Sequence, residues 1–181
     1  MIHQLDEINN STKNQTHYYS TDGGNEITIT GKNFIPKELF GYIQQCKPLA
    51  SIGFNHKVII KVGSQDSNET VYFSYEKPIL ELKNYTGTTN GKTEITITGI
   101  NFISKELIAN YQFKQSKNYI IIGDNHCNET IWINSTPAKC KPIPGTGSDY
   151  IIIISVGNQN SSQLVYFSYH KPILDIKIIV V

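Results

Sequence analysis

One nine-residue stretch occurs twice in this chain and limits what it can fold into. Glu26-Ile27-Thr28-Ile29-Thr30-Gly31-Lys32-Asn33-Phe34 returns as Glu94-Ile95-Thr96-Ile97-Thr98-Gly99-Ile100-Asn101-Phe102, with one position changed. Ile and Thr alternate with period two, so each copy presents one apolar and one polar face as a strand. The Gly interrupts the strand, the Asn suits a turn, and the Phe supplies a large apolar anchor. Self-similarity of this kind has to be settled before the rest of the chain is read.

A second self-match runs from Cys46-Lys47-Pro48 to Val71-Tyr72-Phe73-Ser74-Tyr75-Glu76-Lys77-Pro78-Ile79-Leu80. Its partner runs from Cys140-Lys141-Pro142 to Val165-Tyr166-Phe167-Ser168-Tyr169-His170-Lys171-Pro172-Ile173-Leu174. The offset is 68 residues for the first block and 94 for the second. The first copy is therefore 26 residues shorter, with the loss between about Phe40 and Cys46. In the second copy that interval holds Tyr119–Ile122 and Thr130–Ile133, two strands of ordinary length. The pattern predicts further strands at 79–83, 94–98, 150–156 and 163–169, and a β-rich run at 58–62. It predicts a single helical turn around 104–109, with a twin around 36–40. Short strands with turn signals every ten or so residues point to an all-β sandwich, present as two tandem copies of which the first misses about two strands. The expected organisation is 1–77 for the incomplete copy and 78–174 for the complete one. Lys171-Pro172-Ile173-Leu174 and residues 175–181 repeat the start of a copy, so they read as the opening of a truncated third.

Composition narrows the function classes. The 181 residues carry a formal charge of +1, which offers no long-range field for nucleic acid or an anionic membrane. Every basic residue is Lys, so the planar fork that reads guanine or clamps phosphate is absent. The abundance of Asn, Lys, Ile, Tyr and Phe also fits an AT-rich coding bias, which depletes Arg for no functional reason. The first residues carry no basic, apolar leader, and Ile176–Val181 is too short to span a bilayer. Membrane insertion by this chain is not expected.

Nothing in the sequence assembles an active site. His3, His17, His56, His126 and His170 are scattered, and His56 and His170 align with Tyr150 and Glu76 of the other copy. Ser74 and Ser168 fall in strands and no Gly-x-Ser-x-Gly occurs. Asp22-Gly23-Gly24-Asn25 is a turn without the length or Lys of a phosphate loop. Asp124-Asn125 with Asn128-Glu129 fits no EF-hand spacing and reads as a polar hairpin turn. No Cys-x-x-Cys or converging set of four zinc ligands appears. The sequence predicts no enzyme, no cofactor and no metal.

In order, the second copy carries a Gly-containing turn, Glu94–Phe102, Ile122-Gly123 to Cys127, Cys140-Lys141-Pro142 to Gly147, and Phe167-Ser168-Tyr169 to Pro172. This set resembles the IPT/TIG domain, an immunoglobulin-like E-set sandwich; the first copy has the two ends of the pattern without its middle. The resemblance covers about 21–174. It implies one of two settings. One is the extracellular part of receptors and adhesion proteins, such as plexins, scatter-factor-type receptor kinases and the tiger proteins of social amoebae. The other is a transcription factor in which the domain dimerises or touches DNA. The tandem arrangement and composition look most like the amoebal cell-surface group.

In the extracellular group the resemblance implies a disulfide between Cys127 and Cys140, the alternative being two buried free thiols. Closing roughly 14 residues would stabilise the fold by about 3 kcal/mol. Cys46 aligns with Cys140 but has lost its partner, leaving a buried free thiol or an intermolecular pairing. Asn9, Asn10, Asn14, Asn68, Asn84, Asn128, Asn134 and Asn160 each head an Asn-x-Ser/Thr acceptor. Composition alone would give roughly three such sites, so the excess points to a glycoprotein. The expected function is a non-enzymatic extracellular or cell-surface recognition or adhesion module, part of a longer chain. It would act through homotypic or heterotypic protein contacts, with no nucleic acid. The alternatives are an intracellular DNA-associated IPT domain and a degenerate paralogue without independent function. In the incomplete copy, the lost strands leave backbone groups that another chain could pair by strand addition.

Overall fold

The computed structural model describes residues 17–30, 43–68, 71–109 and 118–174. The predicted turn at 36–40 and the tail 175–181 lie outside them. The first part contains β1 (His17–Tyr19), β2 (Ile27–Thr30), β3 (Ile43–Cys46), β4 (His56–Val58), β5 (Lys61–Val62), β6 (Gln65–Asp66) and β7 (Val71–Tyr75). The second contains β8 (Ile79–Leu80), β9 (Tyr85–Gly87), β10 (Ile95–Ile100), α1 (Lys105–Ile108), β11 (Tyr119–Ile122) and β12 (Asn125–His126). It continues through β13 (Glu129–Trp132), β14 (Pro137–Lys141), β15 (Tyr150–Val156), β16 (Gln159–Asn160) and β17 (Tyr166–Tyr169). The fold is all-β with two sheets in the second part, as an immunoglobulin-like sandwich requires.

One sheet of the second part runs β13-β14-β10-β8 and the other β12-β11-β15-β17-β9, with β16 hairpinned onto β15. Alternation decides what fills the space between them. Ile95 and Ile97 of β10, Ala138 and Cys140 of β14, Ile120 and Ile122 of β11, and Ile152, Ile154 and Val156 of β15 all point inward and are buried. Phe102 closes one side, fully buried and edge-on to Trp132 at 6.3 Å between ring centres. Gly99 is required here, since a Cβ would collide with the Ile79 carbonyl and lie 2.7 Å from the Phe102 ring. Asn101 takes a left-handed φ of 59° to make the turn between them. α1 follows, its first turn capped by the Ser104 hydroxyl accepting from the Leu107 amide at 3.4 Å.

The first part repeats these contacts at the two sequence offsets. β2 pairs β3 in the register Ile27↔Cys46, as β10 pairs β14 at Ile95↔Cys140. β1 runs parallel to β7 as β9 runs parallel to β17. The Tyr75 hydroxyl donates to the Leu49 carbonyl at 2.7 Å, and Tyr169 donates to Ile143 at the same distance. What differs is the strand beside β15. β11 pairs it across Tyr119↔Ser155 to Ile122↔Ile152, whereas among the described residues β4 pairs only β7 and β5 only β6. The run predicted as one strand at 58–62 is accordingly broken in two. Val62 is 40% exposed where its counterpart Val156 is 1%, and Ile59 is 51% exposed. Ile27 and Ile29 are half-buried where Ile95 and Ile97 are sealed.

The two parts meet through backbone. Gly157, at φ 58° beside Asn158 at φ 63°, tops a two-residue hairpin, and both values are what a type I′ turn needs. A Cβ on Gly157 would lie 2.5 Å from the Gly53 nitrogen, so the two turns are in direct contact. Gln159 Nε2 donates to the Tyr75 carbonyl at 3.1 Å, Lys77 Nζ to Ser162 Oγ at 3.1 Å, and Asn101 Nδ2 to Glu76 Oε2 at 2.7 Å. Ile52 of the first part joins the core of the second.

Two outcomes follow from this asymmetry. Phe102→Ala should destabilise the second part by about 3–5 kcal/mol in denaturant unfolding, the usual cost of emptying a full aromatic site. Hydrogen exchange should be at least about tenfold faster at Val58–Lys61 than at the counterpart residues Ile152–Ser155. Equal protection of the two runs would show that a strand covers Val58–Lys61.

Candidate interaction surface

The residues singled out by chemistry fall into three groups in space. The first is covalent. Cys140 sits inward on β14, fully buried, and Cys127 leaves β12 opposite it; the structure joins them by a disulfide with Cα atoms 5.7 Å apart. It ties the β11–β12 hairpin of one sheet to β14 of the other. Cys46 occupies the place of Cys140 on β3, and there the expectation of burial fails: it is a free and exposed thiol. Among the described residues no strand pairs the outer side of β3, as β13 pairs that of β14.

The second group is the histidines and serines, which serve the backbone. His56 Nε2 donates to the Ile52 carbonyl at 2.9 Å, and its counterpart Tyr150 donates to the Thr146 carbonyl at 2.6 Å. Both side chains close the same turn, which is why the copies use different residues there. Ser74 and Ser168 accept from the Asn55 and Asp149 amides at 3.0 Å each. His126 stands edge-on to Tyr119 at 4.9 Å, and His170 is exposed. His17 lies in β1, and His3 is outside the described residues. Burial pushes the Tyr75 and Tyr169 phenols up, so both stay protonated as donors, and Cys46 adds a smaller upward contribution at Tyr75.

Asp124 lies in the two-residue turn between β11 and β12, with Gly123 at φ 61° as the first turn residue. The polar hairpin expected at 124–129 is therefore what is present. Among the described residues no three His, Cys, Asp or Glu side chains converge. A cleft of about 90 Å³ lies between Cys127, Pro144, Gly145, Tyr150 and Tyr169, far below the ~300 Å³ and upward of small-molecule sites.

The third group is surface. Asn68, Asn84, Asn128 and Asn160 are exposed and Asn134 is half-buried, while Asn9, Asn10 and Asn14 lie outside the described residues. The Asn84 side-chain oxygen accepts from the Tyr166 amide at 3.4 Å. Asn134 accepts from both the amide and the hydroxyl of Thr136, at 2.8 and 2.7 Å, the local bonding of an Asx turn. Exposed apolar side chains occur on both parts, among them Leu49, Phe54 and Ile59 on the first and Leu82, Ile100 and Leu164 on the second. What sets the first part apart is the flank of Val58–Lys61, which no strand pairs among the described residues. Among the described residues no helix is long and apolar enough to cross a membrane.

The disulfide yields a direct measurement. Cys127→Ser should lower the unfolding free energy of the second part by about 3 kcal/mol, read as a fall in denaturant midpoint with the Cys46→Ser variant as control.

A family model described as the IPT/TIG domain matches residues 78–169, which is 92 of the 181 residues. No curated protein matches the chain. IPT/TIG domains are non-catalytic immunoglobulin-like modules, used in receptors and transcription factors to make protein–protein contacts. The matched segment is the two-sheet sandwich with its buried Ile layers, the Gly99–Phe102 turn and the Cys127–Cys140 bridge. This chain belongs to the IPT/TIG family.

Proposed function

We propose that this chain is a non-enzymatic recognition or adhesion module of the cell surface or extracellular space, and that residues 1–77 are an incomplete copy of the domain held by 78–174. The observation that carries the reading is the Cys127–Cys140 bridge together with exposed glycosylation acceptors. Disulfides form and persist in oxidising compartments, and N-linked sugars are added only along the secretory route. The protein contact is made by the first part, where among the described residues no strand covers the flank of Val58–Lys61 or the outer side of β3. A partner strand adding along Val58–Lys61 would gain backbone hydrogen bonds and cover Ile59 and Val62 at once. The sandwich of the second part is the rigid mount.

Intact mass of the chain recovered from the medium of secreting cells tests the setting. The expected result is a mass that falls on enzymatic deglycosylation and rises by two hydrogens on reduction, with one thiol labelled before reduction and three after. A sugar-free chain with three thiols labelled before reduction would overturn it.

A further inference from the structure

Two of the glycosylation acceptors lie inside a covalent ring. Cys127 and Cys140, 13 positions apart, close it, and Asn128-Glu129-Thr130 and Asn134-Ser135-Thr136 fall between them. The ring is a hairpin: β13 runs back along β14 from Glu129↔Lys141 to Trp132↔Ala138. Once formed, it holds the working groups of both acceptors. The Asn128 amide donates to the Lys141 carbonyl at 2.8 Å, and Thr130 is paired with Cys140. Asn134 Oδ1 accepts from the amide and the hydroxyl of Thr136, the residue that completes the acceptor. A sugar transferase must seat such a tripeptide in its own groove, so these bonds have to be unmade when it acts. Asn84 and Asn160 lie outside the ring. The Asn84 side chain finds its partner, the Tyr166 amide, 82 residues further along the chain. Asn160 sits in the β15–β16 hairpin, which has no covalent clamp.

While the chain is being made, the ring decides whether the β13–β14 hairpin exists. A lone two-stranded hairpin is marginal in water, and Pro137-Ala138-Lys139-Cys140-Lys141 is a poor strand by propensity. Closing the ring adds about 3 kcal/mol in favour of compact forms. Cys140 follows Asn128 by 12 positions, about 1–2 s of synthesis at ordinary rates. Disulfides form from seconds upward. Sugar transfer and ring closure therefore compete over the same interval at Asn128 and Asn134. At Asn84 and Asn160 ring closure leaves the acceptor untouched.

We infer that the Cys127–Cys140 bridge gates glycosylation of Asn128 and Asn134: each is modified only on chains whose ring is still open. The inference rests on the secretory setting proposed above. In the open chain, Nδ2 of Asn128 or Asn134 attacks the anomeric carbon of a sugar carried on a diphospholipid. The carbon–oxygen bond to phosphate breaks, the diphospholipid leaves, and the amide gives up one proton. In the competing step the Cys127 thiolate attacks the disulfide of an oxidising protein carrier, and the Cys140 thiolate then displaces that carrier. Two electrons and two protons pass from the cysteine pair to the carrier, which leaves as a dithiol. The secreted chain is thus a mixture, bridged throughout and unevenly glycosylated within the ring alone.

Occupancy measured site by site tests this on the full chain, from cells and medium together. Enzymatic removal of the sugars leaves Asp at each occupied position, which peptide mass spectrometry reads. In the wild type, Asn128 and Asn134 should be less occupied than Asn84 and Asn160. Cys140→Ser keeps the ring open and leaves both tripeptides and their neighbours unaltered. It should raise Asn128 and Asn134 to the level of Asn84 and Asn160, with those two unchanged. Dithiothreitol added during synthesis of the wild type should do the same without a substitution, so misfolding of the variant does not decide the outcome. Equal occupancy at all four sites of the wild type overturns the gate while leaving the secretory setting intact. So does a rise at all four together, the result expected if folding in general limits access, or no rise at all. No sugar at any acceptor overturns the setting itself, and the gate with it.

Discussion

The pairing of β11 with β15 is the contact on which the rest of the sandwich depends. β15 carries Ile152, Ile154 and Val156 on one face, and those side chains are sealed because the sheet extends past them to β11 and β12. β11 in turn adds Ile120 and Ile122 to the same layer and leads into the hairpin that places Cys127 against Cys140. A sheet needs breadth to shield its inward face, and one flanking strand decides whether a β-branched residue is core or surface. Where among the described residues that strand has no counterpart, Val62 lies in solvent although it matches Val156 in residue type and in its hairpin pairing.

Much of this was legible from residues alone, and what escaped has a common cause. The Ile-Thr alternation of β10 and the Ile run of β15 are strands of high propensity with clear inward faces, and the ends of β11 and β15 fall where the pattern puts them. The helical turn expected around 104–109 is α1, which opens on the Ser104 cap. β14 was not readable, although it pairs on both sides. Pro137-Ala138-Lys139-Cys140-Lys141 has weak β propensity, and its inward residues are a small Ala and a bridged Cys. β9 hides for a related reason: only Tyr85 and a Gly face inward. The predicted strand at 79–83 stops at Leu80, where pairing with β10 ends. Tertiary pairing, not local preference, made or unmade each of these.

The surface was less legible than the core. The alignment of Cys46 with Cys140 implied burial, yet Cys140 is covered by its cross-sheet partner Cys127 and by β13, neither of which has a counterpart beside Cys46 among the described residues. An alignment transfers backbone position; it does not transfer the neighbours that cover it. The turn that His56 and Tyr150 close makes the same point from the other side. Different side chains satisfy the same kind of carbonyl because the backbone there requires a donor at one place, whatever supplies it.

The junction links these observations. Among the described residues of the first part, the large buried apolar side chains are three, two of them Phe73 and Tyr75, which stand edge-on at 4.9 Å. Ile52, its third, is buried by the second part. Burial of Ile52 there ties part of the order of the first part to its neighbour. Gly53 against Gly157 lets that neighbour approach to backbone distance, where Gln159 and Lys77 add directional bonds. The sandwich of the second part thus does two jobs with one hairpin: its inner side extends β15, and its tip contacts the first part. Removing the hairpin tip would loosen the first part before it disturbed the second, because the Ile layers of the second are closed by β11 and β14 and owe nothing to Gly157.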